Sequence, residues 1–339
     1  MSRFLQHWIE SQWQRTGALA VLGLSLALLF RLLVALRRAV WRLGLRRSYR
    51  APCPVIVVGN LTVGGSGKTP LVLWLAQWLR GQGWRPGIVS RGYGGCARHW
   101  PQQVRPDSDP RVVGDEAVLL ARQSTCPVCV GPDRGAAVEA LLTHTDCDIV
   151  IADDGLQHYA LARDIEIVVI DGQGGFGNGL MLPAGPLREP VSRLRSVDLV
   201  VSNGERRSGT HAMRMRPTGA VALNDERQVH PLEGWRGRRV RAIAGIGRPE
   251  RFFDMLRRQG LRVEAVAFPD HHDFSVADLA FDDDLPLLMT EKDAVKCRRL
   301  IHRDDTWVVR IEAVPEAPFI LRLERLLDEL PARREQAHR

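Results

Sequence analysis

The stretch Val58-Gly59-Asn60-Leu61-Thr62-Val63-Gly64-Gly65-Ser66-Gly67-Lys68-Thr69-Pro70 decides the fold. It follows the β-branched run 55–59 and leads into 70–82, where Leu71, Leu75, Trp78 and Leu79 recur at helical spacing. A glycine-rich loop between strand and helix is the context that a phosphate cradle requires. Its glycines let backbone N–H groups turn inward, and the helix N-terminus adds the positive end of its dipole. Lys68 is placed to reach β/γ-phosphate oxygens, and the Thr69 hydroxyl to ligate Mg²⁺. Gly64, Gly65, Ser66, Gly67, Lys68 and Thr69 therefore form the expected nucleotide-binding set, with ATP and Mg²⁺ as cofactors. Thr62 stands where the G-x4-G-K-T pattern has glycine, so the loop is a variant. Pro70 is tolerated because the first helical turn leaves its N–H groups unpaired anyway.

Outward from this loop, short apolar runs at 87–90, 148–152, 165–170 and 197–201 read as strands. Helical or loop segments, including 115–123 and 134–143, separate them. The alternation predicts an α/β fold: a P-loop NTPase-like parallel sheet with helices on both faces. Over 204–236 the periodicity lapses into polar sequence. Runs at 240–244, 263–268, 285–290 and 307–311 then predict a smaller C-terminal α/β domain. The expected division is an N-terminal membrane-associated helical segment at 1–50, a nucleotide-binding domain at 51–222 and a linker at 223–236. The smaller domain follows at 237–330, and 331–339 is a polar tail.

The formal net charge of +8 on 339 residues invites a nucleic-acid reading. Residues 1–50 hold nine arginines, no lysine and the single acid Glu10, so they carry all of the excess and the body is neutral. That placement argues against a nucleic-acid partner. The apolar stretch 17–30 is interrupted by Arg31 and resumes at 32–36, marginal against the roughly 20 residues a span needs. Trp8, Trp13 and Trp41 suit headgroup level, and Arg37, Arg38, Arg42, Arg46, Arg47 and Arg50 suit anionic lipids and a cytoplasmic body. The apolar core is too long for a signal peptide and lacks a small-x-small cleavage site. Membrane attachment is expected, with spanning and interfacial placements both open. The six cysteines form no framework, and Cys126-Pro-Val-Cys129 reads as two reduced core thiols.

The second half of a nucleotide site is expected at the end of Ile149-Val150-Ile151-Ala152, where Asp153-Asp154-Gly155 follows. One carboxylate there suits Mg²⁺ and its neighbour suits orienting water or a substrate hydroxyl. Asp115-Glu116, after Gly114, suits either a catalytic role or helix capping. Asp270-His271-His272-Asp273 suits proton handling or a plain surface loop. Thr290-Glu291-Lys292-Asp293 either caps the next helix or sends Lys292 into a cleft. Residues 92–95 and 172–179 have the composition of mobile loops, and Arg134 and Arg188 read as phosphate grips or surface pairs.

Taken together, the P-loop with its trailing proline, Ser90-Arg91-Gly92-Tyr93-Gly94, Gly114-Asp115-Glu116, Asp133-Arg134, Asp153-Asp154-Gly155-Leu156-Gln157-His158, 182–189, Asp270-His271-His272 and Thr290-Glu291-Lys292-Asp293 resemble the tetraacyldisaccharide 4'-kinase family. The resemblance covers nearly the whole chain. It implies transfer of the ATP γ-phosphate to the 4'-hydroxyl of a lipid-linked glucosamine disaccharide 1-phosphate at the cytoplasmic face of the inner membrane. Carried over, Asp115 matches the general base, His271 its partner from the other domain, and Lys68 a catalytic residue. The two domains are expected to close, bringing Asp115 and His271 within about 2.6–3.2 Å. Thr69, Asp153 and Asp154 match metal positions, Asp154 also a nucleotide position. Asn60, Glu116, Arg134, Gln157, Arg188 and Glu189 match substrate-binding positions. Ala117 departs from the family's expected proline, and the choice of His271 over His272 rests on motif alignment alone. Anionic membrane lipids are expected partners, and no obligate protein partner is. The rival reading is a membrane-associated switch ATPase, which usually carries lysine where Val63 stands.

Overall fold

The computed structural model describes Trp13 and residues 17–301 and 303–330. Trp8 and the expected tail lie outside them. The apolar N-terminal stretch forms α1 (Ala18–Arg42), a single 25-residue helix that continues through Arg31. Ala20 and Ala27 are buried, Gly23 approaches Ala184, and Phe30 and Val34 pack against the body. That is one stripe at helical spacing. Elsewhere Val21, Leu22, Leu26, Leu28, Leu29, Leu32, Leu33 and Leu36 are each more than half exposed.

Next come β1 (Val55–Gly59), α2 (Lys68–Gly81), β2 (Pro86–Ser90), β3 (Gln102–Val104), α3 (Asp115–Gln123), β4 (Val128–Val130), α4 (Arg134–Thr143), β5 (Ile149–Asp153), β6 (Ile165–Asp171) and β7 (Leu199–Asn203). The sheet order across this half is β7-β6-β1-β5-β2-β4-β3, parallel except for β3. Burial is continuous along β1, β2, β5 and β6 because helices cover both faces. β1 thus lies mid-sheet between β5 and β6, and the loop leaving its C-terminal end opens at the position where ligands bind in parallel sheets.

The polar lapse at 204–236 holds a long strand ahead of the expected linker at 223–236. It contains β8 (His211–Ala222), which pairs in parallel with β7 and antiparallel with β13 (Thr306–Pro315) over nearly its full length. Pro217 and Gly219, residue types that disfavour a regular strand, are absorbed by a bulge opposite Arg310 and Ile311. The expected parallel sheet is accordingly mixed. β9 (Val229–His230) follows, then β10 (Arg239–Ala244), α5 (Pro249–Arg258), β11 (Arg262–Ala267), β12 (Leu287–Thr290) and α6 (Glu291–Cys297). Their order β11-β10-β12-β13 continues the same sheet through β8. Separate apolar clusters nonetheless lie on either side of that pair. One is built on β1, β5, β6 and α2, the other on Trp235, Val240, Phe252, Phe253, Leu256 and Trp307.

The last helix, α7 (Ala317–Asp328), returns to the first of these clusters. Phe319, Leu323, Leu326 and Leu327 recur at helical spacing, and all join the core around α2 and β7. A smaller unit drawn as 237–330 includes α7, yet its side chains pack with 51–222.

Candidate functional site

The phosphate loop runs from Asn60 to Gly67 over the C-terminal ends of β1 and β7. Gly64 and Gly67 have φ of 101° and 92°, which a β-carbon would strain. Asn203, at the end of β7, donates from Nδ2 to the Ser66 carbonyl at 3.1 Å. It sits against Gly67 where a side chain would clash, so Asn203 fixes the last turn of the loop. Lys68 and Thr69 open α2. Lys68 Nζ lies 3.5 Å from Asp154 Oδ1, and Arg188 Nη1 donates to the same carboxylate at 3.1 Å. Asp154 itself has φ of 48°, which turns it toward Lys68 rather than along the strand.

Asp153 is buried at the end of β5, and its Oδ1 has no hydrogen-bond partner. Burial, with the Glu116 and Asp154 carboxylates, pushes its pKa up to about 7. Ser66 Oγ and Asn60 Oδ1 are likewise buried without partners. Unsatisfied buried oxygens are costly, and these three surround the N-terminus of α2. Among the described residues no group of three or more His, Cys, Asp or Glu forms a metal cage. A hard oxygen donor set without a cage fits Mg²⁺, which keeps waters and takes phosphate oxygens as ligands. Thr69, Asp153 and Asp154 are therefore chemically suited to that ion.

Arg134 follows the N-cap Asp133, whose carboxylate accepts from Gly135 N at 2.8 Å. The Arg134 guanidinium is buried, donates to the Gly131 carbonyl at 2.7 Å, and leaves Nε unpaired. Burial lowers its pKa to about 10, against the pull of Asp153 and Asp154. Gln157 donates to the Asn60 carbonyl at 3.0 Å and so props the start of the phosphate loop. Glu189 is 1% exposed and enclosed by Tyr159, Arg193 at 3.7 Å and Arg38 of α1 at 4.0 Å. It also accepts from Gln157 Nε2 at 3.4 Å, so it links the N-terminal helix, through Arg38, to the side chain that props the phosphate loop.

The second part of the site lies between the two halves. Asp115 begins α3 just after the N-cap Gly114, and its Oδ1 accepts from the Glu116 N–H at 2.8 Å, which leaves Oδ2 free for the cleft. Its Oδ2 lies 3.1 Å from His271 Nδ1, inside the expected reach. His271 has φ of 56°, which turns its ring toward Asp115, whereas His272 faces Asp278 at 3.2 Å. Tyr93 stacks obliquely on His271 with ring centroids 5.1 Å apart. Burial tends to raise the Asp115 pKa, but the His271 hydrogen bond, Lys292 and Lys296 outweigh it and hold the carboxyl below its usual range. The Asp115 hydrogen bond raises His271 against burial and Lys292. A cleft of about 440 Å³ opens on this pair and is lined by Tyr93, Arg111, Asp115, His271 and Lys296, among others.

Of the residues at the junction of the halves, the sequence offered Thr290 as a cap or Lys292 as a cleft lysine, and it missed Arg248 and Arg251. Thr290 caps α6, accepting from Asp293 N at 3.2 Å. Lys292, in the first turn, is largely buried between the halves and reaches Glu116 and Asp270 at 3.2 and 3.1 Å. Arg248 and Arg251, around the start of α5, both grip Asp171 at the end of β6. The Gly245–Arg248 turn thereby faces the phosphate loop, with Gly247 next to Gly65. For these residues the sequence held only a strand-to-helix junction rich in glycine.

Known proteins align with this architecture. The sequence model of the family described as tetraacyldisaccharide-1-P 4'-kinase matches residues 19–328. A tetraacyldisaccharide 4'-kinase from Nitrosococcus oceani is 52% identical, covering 97% of this chain and 95% of that relative. One from Pseudomonas aeruginosa is 46% identical over 97% of this chain and 99% of its own length. The crystal structure of LpxK from Aquifex aeolicus in complex with ATP superimposes with a TM-score of 0.76 at 28% identity, covering 91% of this chain and 99% of that one.

Proposed function

The chain belongs to the tetraacyldisaccharide-1-phosphate 4'-kinase family, and on that premise we propose how its own residues carry the reaction. It is an ATP-dependent kinase that phosphorylates the 4'-hydroxyl of a tetraacyldisaccharide 1-phosphate, a step of lipid A biosynthesis. The kinase relatives, with the ATP-bound neighbour, set aside the switch-ATPase alternative.

In this reading the N–H groups of Gly64 to Thr69 hold the triphosphate, and Lys68 stabilises charge on the transferring group. Thr69, Asp153 and Asp154 hold Mg²⁺, which would supply charge neutralisation on the phosphate oxygens. Asp115, kept ionised by His271 and the neighbouring lysines, takes the proton of the acceptor hydroxyl. The acceptor oxygen then bonds to the γ-phosphorus while the bond to the β–γ bridging oxygen breaks, releasing ADP. Arg134, Arg188, Gln157, Asn60 and Glu116 position nucleotide or acceptor, and Glu189 acts at one remove by holding Tyr159 and Arg38. The observation that carries this reading is the 3.1 Å approach of Asp115 to His271 at the cleft between the two halves.

The lipid acceptor gives α1 a role. Its exposed leucines form an apolar surface facing away from the body, and the arginine-rich end from Arg37 to Arg50 suits anionic headgroups on the cytoplasmic side. Because α1 packs along the body through the Ala20, Ala27 and Val34 stripe, docking it in a membrane brings the 51–222 unit to the surface where the acceptor diffuses. For the working division we take 51–222 with α7 as the nucleotide unit and 237–315 as the closing unit. The test is transfer from ATP to tetraacyldisaccharide 1-phosphate by wild type and by Asp115→Ala and His271→Ala. Full transfer by Asp115→Ala would sink the base assignment.

A further inference from the structure

Resting on the kinase reading above, we infer that Lys292 is a positioning residue for the reaction, locking His271 in the tautomer that presents Nδ1–H to Asp115. The inference starts from an oddity of placement. Lys292 lies in the first turn of α6, where the helix dipole disfavours a cation. Its side chain is only 15% exposed. Such a lysine needs compensating partners, and here they come from three directions. Lys292 Nζ donates to Glu116 Oε1 of α3 at 3.2 Å and to Asp270 Oδ1 of the loop after β11 at 3.1 Å. Its third contact is His271 Nε2 at 3.1 Å.

An ammonium has only N–H donors and no acceptor. His271 Nε2 must therefore accept from Lys292, so in the neutral ring the proton sits on Nδ1. Nδ1 is the atom 3.1 Å from Asp115 Oδ2. Asp115 thus receives an N–H bond on Oδ2, and the ring cannot turn over without breaking both contacts. Which nitrogen of a histidine carries the proton is set by the partner of the other one. The carboxylates of Glu116, Asp270 and Asp115 hold the ammonium charged against burial, so the lock holds wherever His271 is neutral.

The groups facing His271 are Asp115 at 3.1 Å, Lys292 at 3.1 Å, Asp270 at 3.9 Å and the Tyr93 ring. Lys296 faces Asp115 from the next turn of α6 at 3.9 Å. Protonating His271 puts an N–H on Nε2 against the ammonium and breaks the lock. Asp115 is then the proton acceptor and His271 its orienting partner, with no relay through Nε2. Because Glu116 belongs to the nucleotide unit and Lys292 to the closing unit, the lock forms only when the two are apposed.

Two measurements on the full-length chain in detergent test this. Nitrogen-15 shifts of His271, assigned by comparison with His271→Gln, report the tautomer at pH 8. The Nδ1–H form in wild type supports the proposal, and the Nε2–H form overturns it whatever any variant does. In Lys292→Met the Nε2–H form or the imidazolium should appear, and kcat should fall about 100-fold, the scale of a misplaced catalytic group. KM for ATP should stay within about twofold, and the acid limb of the kcat profile should move to higher pH. Lys292→Arg, still a donor, should recover most of the rate. A Lys292→Met enzyme within about twofold of wild-type kcat would overturn the proposal. If that variant does not fold, the wild-type tautomer decides. Wild type that binds ATP without transferring phosphate would instead overturn the kinase reading, leaving the tautomer to support or overturn the Lys292 lock.

Discussion

The phosphate loop and the Asp115–His271 pair are two halves of one site, assembled in opposite ways. The loop is built from ten consecutive residues, and its geometry is carried by backbone: positive φ at Gly64 and Gly67, and the N-terminus of α2. The pair joins residues 156 positions apart, and its geometry is carried by side chains reaching across from separate apolar clusters, one around α3 and one around Phe274 and Ala294. A loop of the first kind forms wherever its strand and helix form. A pair of the second kind forms only when β8 and β13 bring the second core over the first. Nucleotide binding should therefore survive damage to the pair, whereas chemistry should survive damage to neither.

The sharpest test of the loop's side is Lys68→Ala. Loss of a preorganised cation facing the transferring group should lower transfer about 10³-fold, with weaker ATP binding measured by calorimetry. Retained transfer would mean that the loop is not the phosphate site. On the other side, His271→Ala should cost about 10- to 100-fold in kcat with ATP affinity unchanged. Its pH dependence has a definite sign. The His271 hydrogen bond is the first of the effects that outweigh burial at Asp115, so removing it raises the Asp115 pKa and moves the acid limb of kcat upward. A limb that stays in place would show that His271 does not tune Asp115.

Smaller effects fall on what holds the two sides together. Arg251→Ala removes one of the two guanidiniums on Asp171 and leaves the loop and the pair intact in sequence. A raised KM for ATP of about threefold with little change in kcat is expected from a weakened, partly exposed ion pair. Phe319→Ala, in the helix that returns to the nucleotide unit, should leave kcat unchanged at low temperature. It should destabilise the fold by about 3–5 kcal/mol, read from denaturant melts. Unchanged stability would separate α7 from that core.

The same contrast explains what was legible beforehand. The loop, Asp153-Asp154 and the alternating runs around them are local patterns, and a parallel sheet puts the loop and the two acids at the C-terminal ends of its strands. His271 and His272 are adjacent and chemically identical in sequence. Only the left-handed backbone at His271 sends one ring to Asp115 and the other to Asp278. β8 alternates Met213, Arg214, Met215 and Arg216 in strand fashion, but Pro217 and Gly219 masked it, since a bulge is decided by the partner strand. Packing of α7 against α2, and the meeting of Lys292 with Glu116, depend on tertiary approach, for which the sequence carries no period.

The division of labour between loop and pair is tested most directly by measuring ATP affinity and phosphate transfer together in Asp115→Ala. The prediction is an ATP dissociation constant within about twofold of wild type and transfer to tetraacyldisaccharide 1-phosphate lowered at least about 100-fold. Full transfer by Asp115→Ala, or ATP binding lost in parallel with transfer, would contradict it.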